Sequence, residues 1–172
     1  MTFDQSKTWA DKFLAQQTQI LNNNIAFLDF NKVKARGYEI QIAPQYDDQN
    51  LETDILVFGT LRIALRVRNG YSSTHQDIAL RSQRPSGLAT EVDKIKQGLG
   101  DYYLYCWTSD TVNISEWILF DLDKFRIVMD SCLTNFDWYQ NDGTAINTYS
   151  ISNLINSGCT VSYYLIGYPF QY

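Results

Sequence analysis

The sequence has 172 residues, of which 45% are hydrophobic and 15% aromatic, so its length and composition exclude a disordered linker or tail. Its formal net charge of -5 argues against a protein that coats nucleic acid through bulk positive charge. No window approaches eighteen apolar residues and no signal peptide is visible. We therefore expect a single cytoplasmic domain over residues 1–172 that does not enter a membrane.

The N-terminal half of the chain predicts one helix and four strands. Residues 4–24 place apolar side chains near helical spacing, and residues 36–44 alternate like a strand that a proline ends. The segments TDILVF and LRIALRVR predict a β-hairpin around Gly59 and Thr60. A further short strand is expected in the segment DIALRSQ.

The C-terminal half of the chain predicts two more helices, each next to a strand, and then a short helix and a final strand. Thr90 can cap a helix over EVDKIKQGL, and the aromatic segment DYYLYCWTS predicts a central strand. We expect the aromatic side chains of this strand to pack in the core. Tyr102 or Tyr103 is the candidate exception, which could stack on nucleic-acid bases. EWILFDL predicts a strand and DKFRIVMDSCL a helix. The remainder predicts a turn, a strand or edge segment, a short helix and a last strand. The element order predicts an α/β (α+β) fold with a mixed central sheet flanked by helices.

Three cysteines, Cys106, Cys132 and Cys159, are widely spaced and odd in number. They lack the close pairs that zinc sites use. We therefore expect buried thiols.

The charges are unevenly distributed along the chain. Residues 37–60 contain five acids and no base, whereas residues 61–84 contain five of the seven arginines and a single acid, Asp77. Strand alternation places Arg62, Arg66 and Arg68 on one face. Because like charges repel, either carboxylates or a bound phosphate should compensate them, and a guanidinium suits both. Arg81 extends this basic surface if its strand pairs beside the hairpin.

The stretch ETDILVFGTLRIALRVRN, with the helix and strand that follow it, resembles the restriction-endonuclease-like, or PD-(D/E)XK, nuclease superfamily over about residues 38–108. The resemblance implies an Asp that opens the second core strand, an acid-x-Lys tripeptide in the third, and then a helix beside a fourth strand. Asp54 stands at the position of that Asp. Arg66-Val67-Arg68 stands at the acid-x-Lys position, where this chain departs from the family.

Some relatives in that superfamily supply the missing groups from the following helix, where this chain has Glu91 and Lys94 on one helical face. The resemblance then implies Mg²⁺ held by Asp54 and Glu91 and catalytic assistance from Lys94, Arg66 and Arg68. The alternative for Glu91 and Lys94 is an ordinary ion pair on a solvated face. The alternative for Asp54 is a strand-start residue or a charge partner for an arginine.

The register of the hairpin bears directly on this site. A two-residue turn would set Asp54 opposite Leu65, on the apolar face, where an ionised carboxylate carries a desolvation cost of roughly several kcal/mol. A three-residue turn that includes Leu61 would set it opposite Arg66. We predict the second register.

Three functions remain open from the sequence. The first is a Mg²⁺-dependent phosphodiesterase that acts on nucleic acid, with phosphates bound by Arg62, Arg66, Arg68 and Arg81. The second is a catalytically inactive binding or inhibitory module, of phage or mobile-element origin, that contacts nucleic acid or a protein. The third is an oligomeric structural protein in which the arginine face meets the acidic block of a neighbouring copy.

Overall fold

The computed structural model describes residues 9, 12–24, 40–42, 55–57, 61–110 and 112–166. Its helices are α1 (Leu14–Asn24), α2 (Ser72–His75), α3 (Glu91–Lys96), α4 (Leu122–Cys132) and α5 (Ile151–Asn156). Its strands are β1 (Ile40–Ile42), β2 (Ile55–Val57), β3 (Leu61–Asn69), β4 (Asp77–Gln83), β5 (Tyr102–Thr108), β6 (Glu116–Asp121), β7 (Leu133–Tyr139), β8 (Ala145–Ser150) and β9 (Thr160–Tyr164). Within these ranges, every helix is too short or too polar to cross a lipid bilayer.

Six strands form the main sheet, in the order β1-β2-β3-β5-β6-β9. The pairing between β3 and β5 is parallel, with Arg66 beside Tyr105, and the other pairings are antiparallel. The connection between the two parallel strands contains α2, β4 and α3, as a parallel pair requires a long crossover. The predicted mixed sheet and the α+β class are therefore present.

The remaining three strands form a small antiparallel sheet in the order β4-β8-β7. This second sheet differs from the sequence expectation in two ways. β4 pairs with β8 and not beside the hairpin, so Arg81 does not continue the β3 surface within one sheet. β7 was not predicted at all, because its segment LTNFDWY lacks regular alternation and follows a helix without a turn signal.

The central strand β5 of the main sheet is covered on both faces. Alternate residues of β5, among them Tyr102 and Leu104, pack with Leu21 of α1, while Tyr103 and Tyr105 pack toward the small sheet, α3, α4 and α5. All seven residues of β5 are buried, which explains their unbroken apolar run. The core interpretation of the aromatic segment is confirmed, Tyr102 and Tyr103 included. The three cysteines are also free and buried, as predicted.

The hairpin register differs from the predicted one. Ile55 pairs with Ile63 and Val57 with Leu61, so residues 58–60 connect the strands. The predicted register would have paired Ile55 with Leu65, two residues further along β3. The difference arises because Leu61 belongs to the strand and not to the turn, which moves the connection one residue toward the N-terminus.

Candidate functional site

Glu91, the first residue of α3, occupies the centre of a polar cluster between the main sheet and β4. The Nη1 atom of Arg66 lies 2.6 Å from both Oε1 and Oε2 of Glu91. The backbone N–H of Arg81 donates to Oε2 at 2.7 Å, and the Tyr103 hydroxyl donates to Oε1 at 3.1 Å. Each carboxylate oxygen thus accepts two hydrogen bonds, which is its full capacity. We call Arg66, Arg81, Glu91 and Tyr103 the Glu91 cluster.

Local sequence fixes the position of Glu91. Thr90 caps α3 through a capping box, in which its hydroxyl accepts from the Asp93 N–H and Asp93 accepts from the Thr90 N–H at 2.9 Å. The predicted cap is confirmed. Because Glu91 comes directly after the cap, it lies in the first helical turn, where the helix dipole favours a carboxylate.

Arg66 and Glu91 are largely buried, and each stabilises the charged form of the other. Their side chains are 26% and 12% exposed. Burial alone would raise the pKa of Glu91, but the Arg66 guanidinium, followed by Arg81, holds it below its usual value. Burial alone would lower the pKa of Arg66, yet Glu91 raises it above its usual value. Glu91 is therefore an ionised carboxylate and Arg66 a cation at neutral pH.

Lys94 lies one helical turn after Glu91 and is only 7% exposed. Lysine is almost never buried to this degree unless its ammonium group is paired. The residues share a face of α3, as predicted, but that face is buried, so the alternative of an ion pair on a solvated face does not hold.

The other arginines of the predicted phosphate site have different environments. Arg68 donates from Nη1 to Asp77 Oδ1 at 2.7 Å, with both side chains about one fifth exposed. Arg62 is exposed and Arg81 is half-buried. In the described part of the chain, neither of these two guanidiniums forms a salt bridge. Internal carboxylates thus compensate Arg66 and Arg68 directly, while Arg62 and Arg81 form no such pair among the described residues, although Arg81 is close enough to Glu91 and Asp142 to interact with both electrostatically.

Asp54, the other half of the predicted metal site, lies outside the described residues. Glu91 alone does not fit a Mg²⁺ ion, because its oxygens already accept four hydrogen bonds and a metal would have to displace Arg66 or Tyr103. Among the described residues, no three His, Cys, Asp or Glu side chains are grouped as a metal site. The hairpin ladder is also two residues away from the register on which the site prediction relied.

Sequence reasoning missed two partners in this region. The sequence identifies Asp77 as the single acid among the arginines but does not indicate that it pairs with Arg68. For Tyr103 the sequence predicts stacking or core packing, whereas its ring is buried and its hydroxyl binds Glu91. The position of Asp77 at the start of a strand, a short loop after β3, is the sequence feature that could indicate its pairing with Arg68. Nothing in the sequence indicated the Tyr103 contact, since it depends on the packing of α3 over β5.

Comparisons with models of known protein families and with curated proteins found no match to this chain.

Proposed function

We propose that the protein is a divergent nuclease-fold protein that binds nucleic acid without hydrolysing it, with Arg62 and Arg81 as its phosphate contacts. The observation that favours this proposal is the order β1, β2, β3 and β5 in the main sheet, with α3 in the connection between β3 and β5 and its Glu91 bound to Arg66 of β3. The resemblance implies a comparable arrangement, in which a helix follows the third core strand and can supply a catalytic carboxylate. In this chain, the Arg66 guanidinium binds the Glu91 carboxylate where a metal ion would otherwise bind it.

The distribution of charge supports a nucleic-acid partner. Residues 61–110 contain seven of the 14 Lys and Arg but five of the 19 Asp and Glu, so this segment carries a small positive net charge although the whole chain is acidic. Arginines that form no salt bridge with an acid of the described residues suit phosphate oxygens, to which a guanidinium can donate two hydrogen bonds. Binding of this kind weakens with salt, because the contacts release counterions.

The test is binding of a labelled 20-base-pair duplex, followed by fluorescence anisotropy across a salt series. The double variant Arg62→Gln/Arg81→Gln should bind at least about tenfold more weakly and lower the salt slope by about 2. Lys124→Gln is the matched control, because Lys124 is an exposed cation on α4, within the acidic part of the chain. Wild-type protein that binds neither this duplex nor a single strand of the same sequence at low salt would refute the proposal.

A second candidate, a Mg²⁺-dependent phosphodiesterase, is favoured by one observation, the buried Lys94 beside Glu91. Lysine near a scissile phosphate stabilises charge that develops in the transition state. The same duplex, incubated with Mg²⁺ or Mn²⁺, separates the two functions. Cleavage that disappears in Glu91→Gln and Asp54→Asn would establish the enzyme, whereas binding without cleavage supports the non-catalytic protein.

A further inference from the structure

Strand β7 displays three large aromatic side chains at the open edge of the small sheet. Phe136 is 68% exposed, Trp138 55% and Tyr139 61%. In the described residues β7 pairs with β8 alone, and a shallow groove runs along residues 135–139. Exposed aromatic rings grouped in this way are typical of a binding surface. We call Phe136, Trp138 and Tyr139 the aromatic edge.

An unusual backbone fixes the aromatic edge. Asp137, between Phe136 and Trp138, has a φ of 46°, a left-handed conformation that is uncommon for a residue other than glycine. Its carboxylate accepts from Ser82 Oγ at 2.6 Å and Gln83 Nε2 at 2.9 Å, and its N–H donates to Asn147 Oδ1 at 2.9 Å. The rings are therefore held on a rigid support.

The irregular backbone disfavours an added β-strand as the occupant of this edge. The ladder between β7 and β8 shifts register twice, between Leu133 and Asn135 and again between Asn135 and Trp138. Bulges of this kind are a way in which proteins prevent a free edge from pairing with another strand. Contacts made by the faces of the rings remain available.

Arg81 of β4 lies in the same row of the small sheet as Trp138 of β7, because both residues pair with Ile146 of β8. Ser82 and Gln83, which bind Asp137, stand between Arg81 and Arg84 on the chain, and the Tyr139 hydroxyl donates to Gln83 Oε1 at 2.7 Å. The buried Nε of Arg84 has no hydrogen-bond partner. Asp142 lies close enough to Arg81 to interact electrostatically, and its carboxylate also accepts from Thr144.

We propose that the aromatic edge binds unpaired nucleotides of a single-stranded nucleic acid, with bases stacked on Phe136 and Trp138 and the backbone directed toward Arg81 and Arg84. Aromatic rings beside cations are the arrangement that single strands require, because every base has a face to stack while the phosphates need positive charge. This inference rests on the proposed function, since it names the form of nucleic acid that the protein binds.

The test compares a labelled dT15 strand with a duplex of the same length by fluorescence anisotropy. The double variant Phe136→Ala/Trp138→Ala should bind dT15 about tenfold or more weakly, because each stacked base contributes substantially to affinity, and should bind the duplex as the wild type does. Trp138→Phe, which keeps a ring, should retain most of the affinity. Tyr71→Ala is the control, because Tyr71 is an exposed aromatic residue outside β7, with 39% exposure.

Each further outcome has a defined meaning. Unchanged dT15 binding by the double alanine variant, with duplex binding intact, would overturn the single-strand proposal and leave the proposed function standing. Wild-type protein that binds neither ligand would overturn both. A dimer that the double variant dissociates in size-exclusion chromatography would assign the aromatic edge to contact between two copies and overturn the proposal. Oligo-rU in place of dT15 distinguishes RNA from DNA as the source of the strand.

Discussion

One nitrogen of Arg66 lies 2.6 Å from both carboxylate oxygens of Glu91 and so joins the third strand of the main sheet to the start of α3. The same carboxylate accepts the backbone N–H of Arg81 at 2.7 Å, which ties the small sheet to the same point. Two sheets and a helix thus meet at one buried anion. The geometry makes this position a structural junction of the fold.

Replacing Glu91 with Gln should destabilise the fold markedly. The substitution keeps the shape and one acceptor but leaves the Arg66 cation without its counter-charge, and loss of one partner from a largely buried pair costs about 2–4 kcal/mol. For a chain of this length, thermal unfolding should shift down by roughly 5–10 °C. Calorimetry or circular dichroism melts of both proteins at neutral pH measure the change.

The matched control for this substitution is Asp123→Asn. Asp123 forms an ion pair with Arg126, but its side chain is 60% exposed. An exposed pair contributes less than about 1 kcal/mol. Equal losses for the two variants would contradict the assignment of Glu91 as the buried junction.

The depressed pKa of Glu91 predicts a specific dependence of stability on pH. A carboxylate whose pKa is lower in the folded than in the unfolded state stabilises the fold above its unfolded pKa, near 4.5, and loses that contribution as pH falls toward the folded value. Wild type should therefore lose more stability than Glu91→Gln below pH 4.5, and their melting temperatures should converge. Melts at neutral pH and at several points below 4.5 measure this convergence. A constant difference across this range would show that Glu91 is not the titrating group.

The cap of α3 offers a third prediction. Thr90 is 2% exposed, and its hydroxyl accepts the Asp93 N–H in the capping box. Thr90→Ala should lower the free energy of unfolding by about 1–2 kcal/mol in urea titrations, because the helix loses its cap next to Glu91. Thr90→Ser keeps the hydroxyl and loses one buried methyl group, so it should cost clearly less, at most about 0.8 kcal/mol. An equal cost for both variants would assign the effect to the lost methyl group and not to the cap.

The sequence predicted most of the main sheet because its elements carry local signals. The Thr90 cap, the apolar alternation of β3 and the aromatic run of β5 each identify an element without knowledge of the rest. β7 was missed because two bulges and the left-handed Asp137 destroy the period that identifies a strand. Its conformation depends on bonds to Ser82 and Gln83, more than fifty residues earlier.

The candidate site was predictable only in part, for a related reason. Helical spacing indicated that Glu91 and Lys94 share a face, and the three arginines were expected to need compensation. Which carboxylate meets which arginine depends on how α3 and β4 pack over the main sheet, and sequence spacing does not encode that. The predicted hairpin register is wrong because of a single residue. Placing Leu61 in the turn instead of the strand shifts the pairing of the two strands by two positions.

The last prediction concerns the three cysteines, whose reactivity measures the access of a reagent to the two faces of the main sheet. Cys106 faces α1, and Cys132 and Cys159 lie in the cluster on the opposite side. Burial raises the pKa of all three thiols, so the reactive thiolate is scarce at neutral pH as well as inaccessible. A disulfide reagent such as DTNB should therefore modify none of the three cysteines rapidly in the native protein and all of them after denaturation. Rapid modification of Cys106 alone, identified by peptide mass mapping, would mean that α1 opens away from the sheet under native conditions, whereas rapid modification of Cys132 or Cys159 would place the opening at α4 and α5.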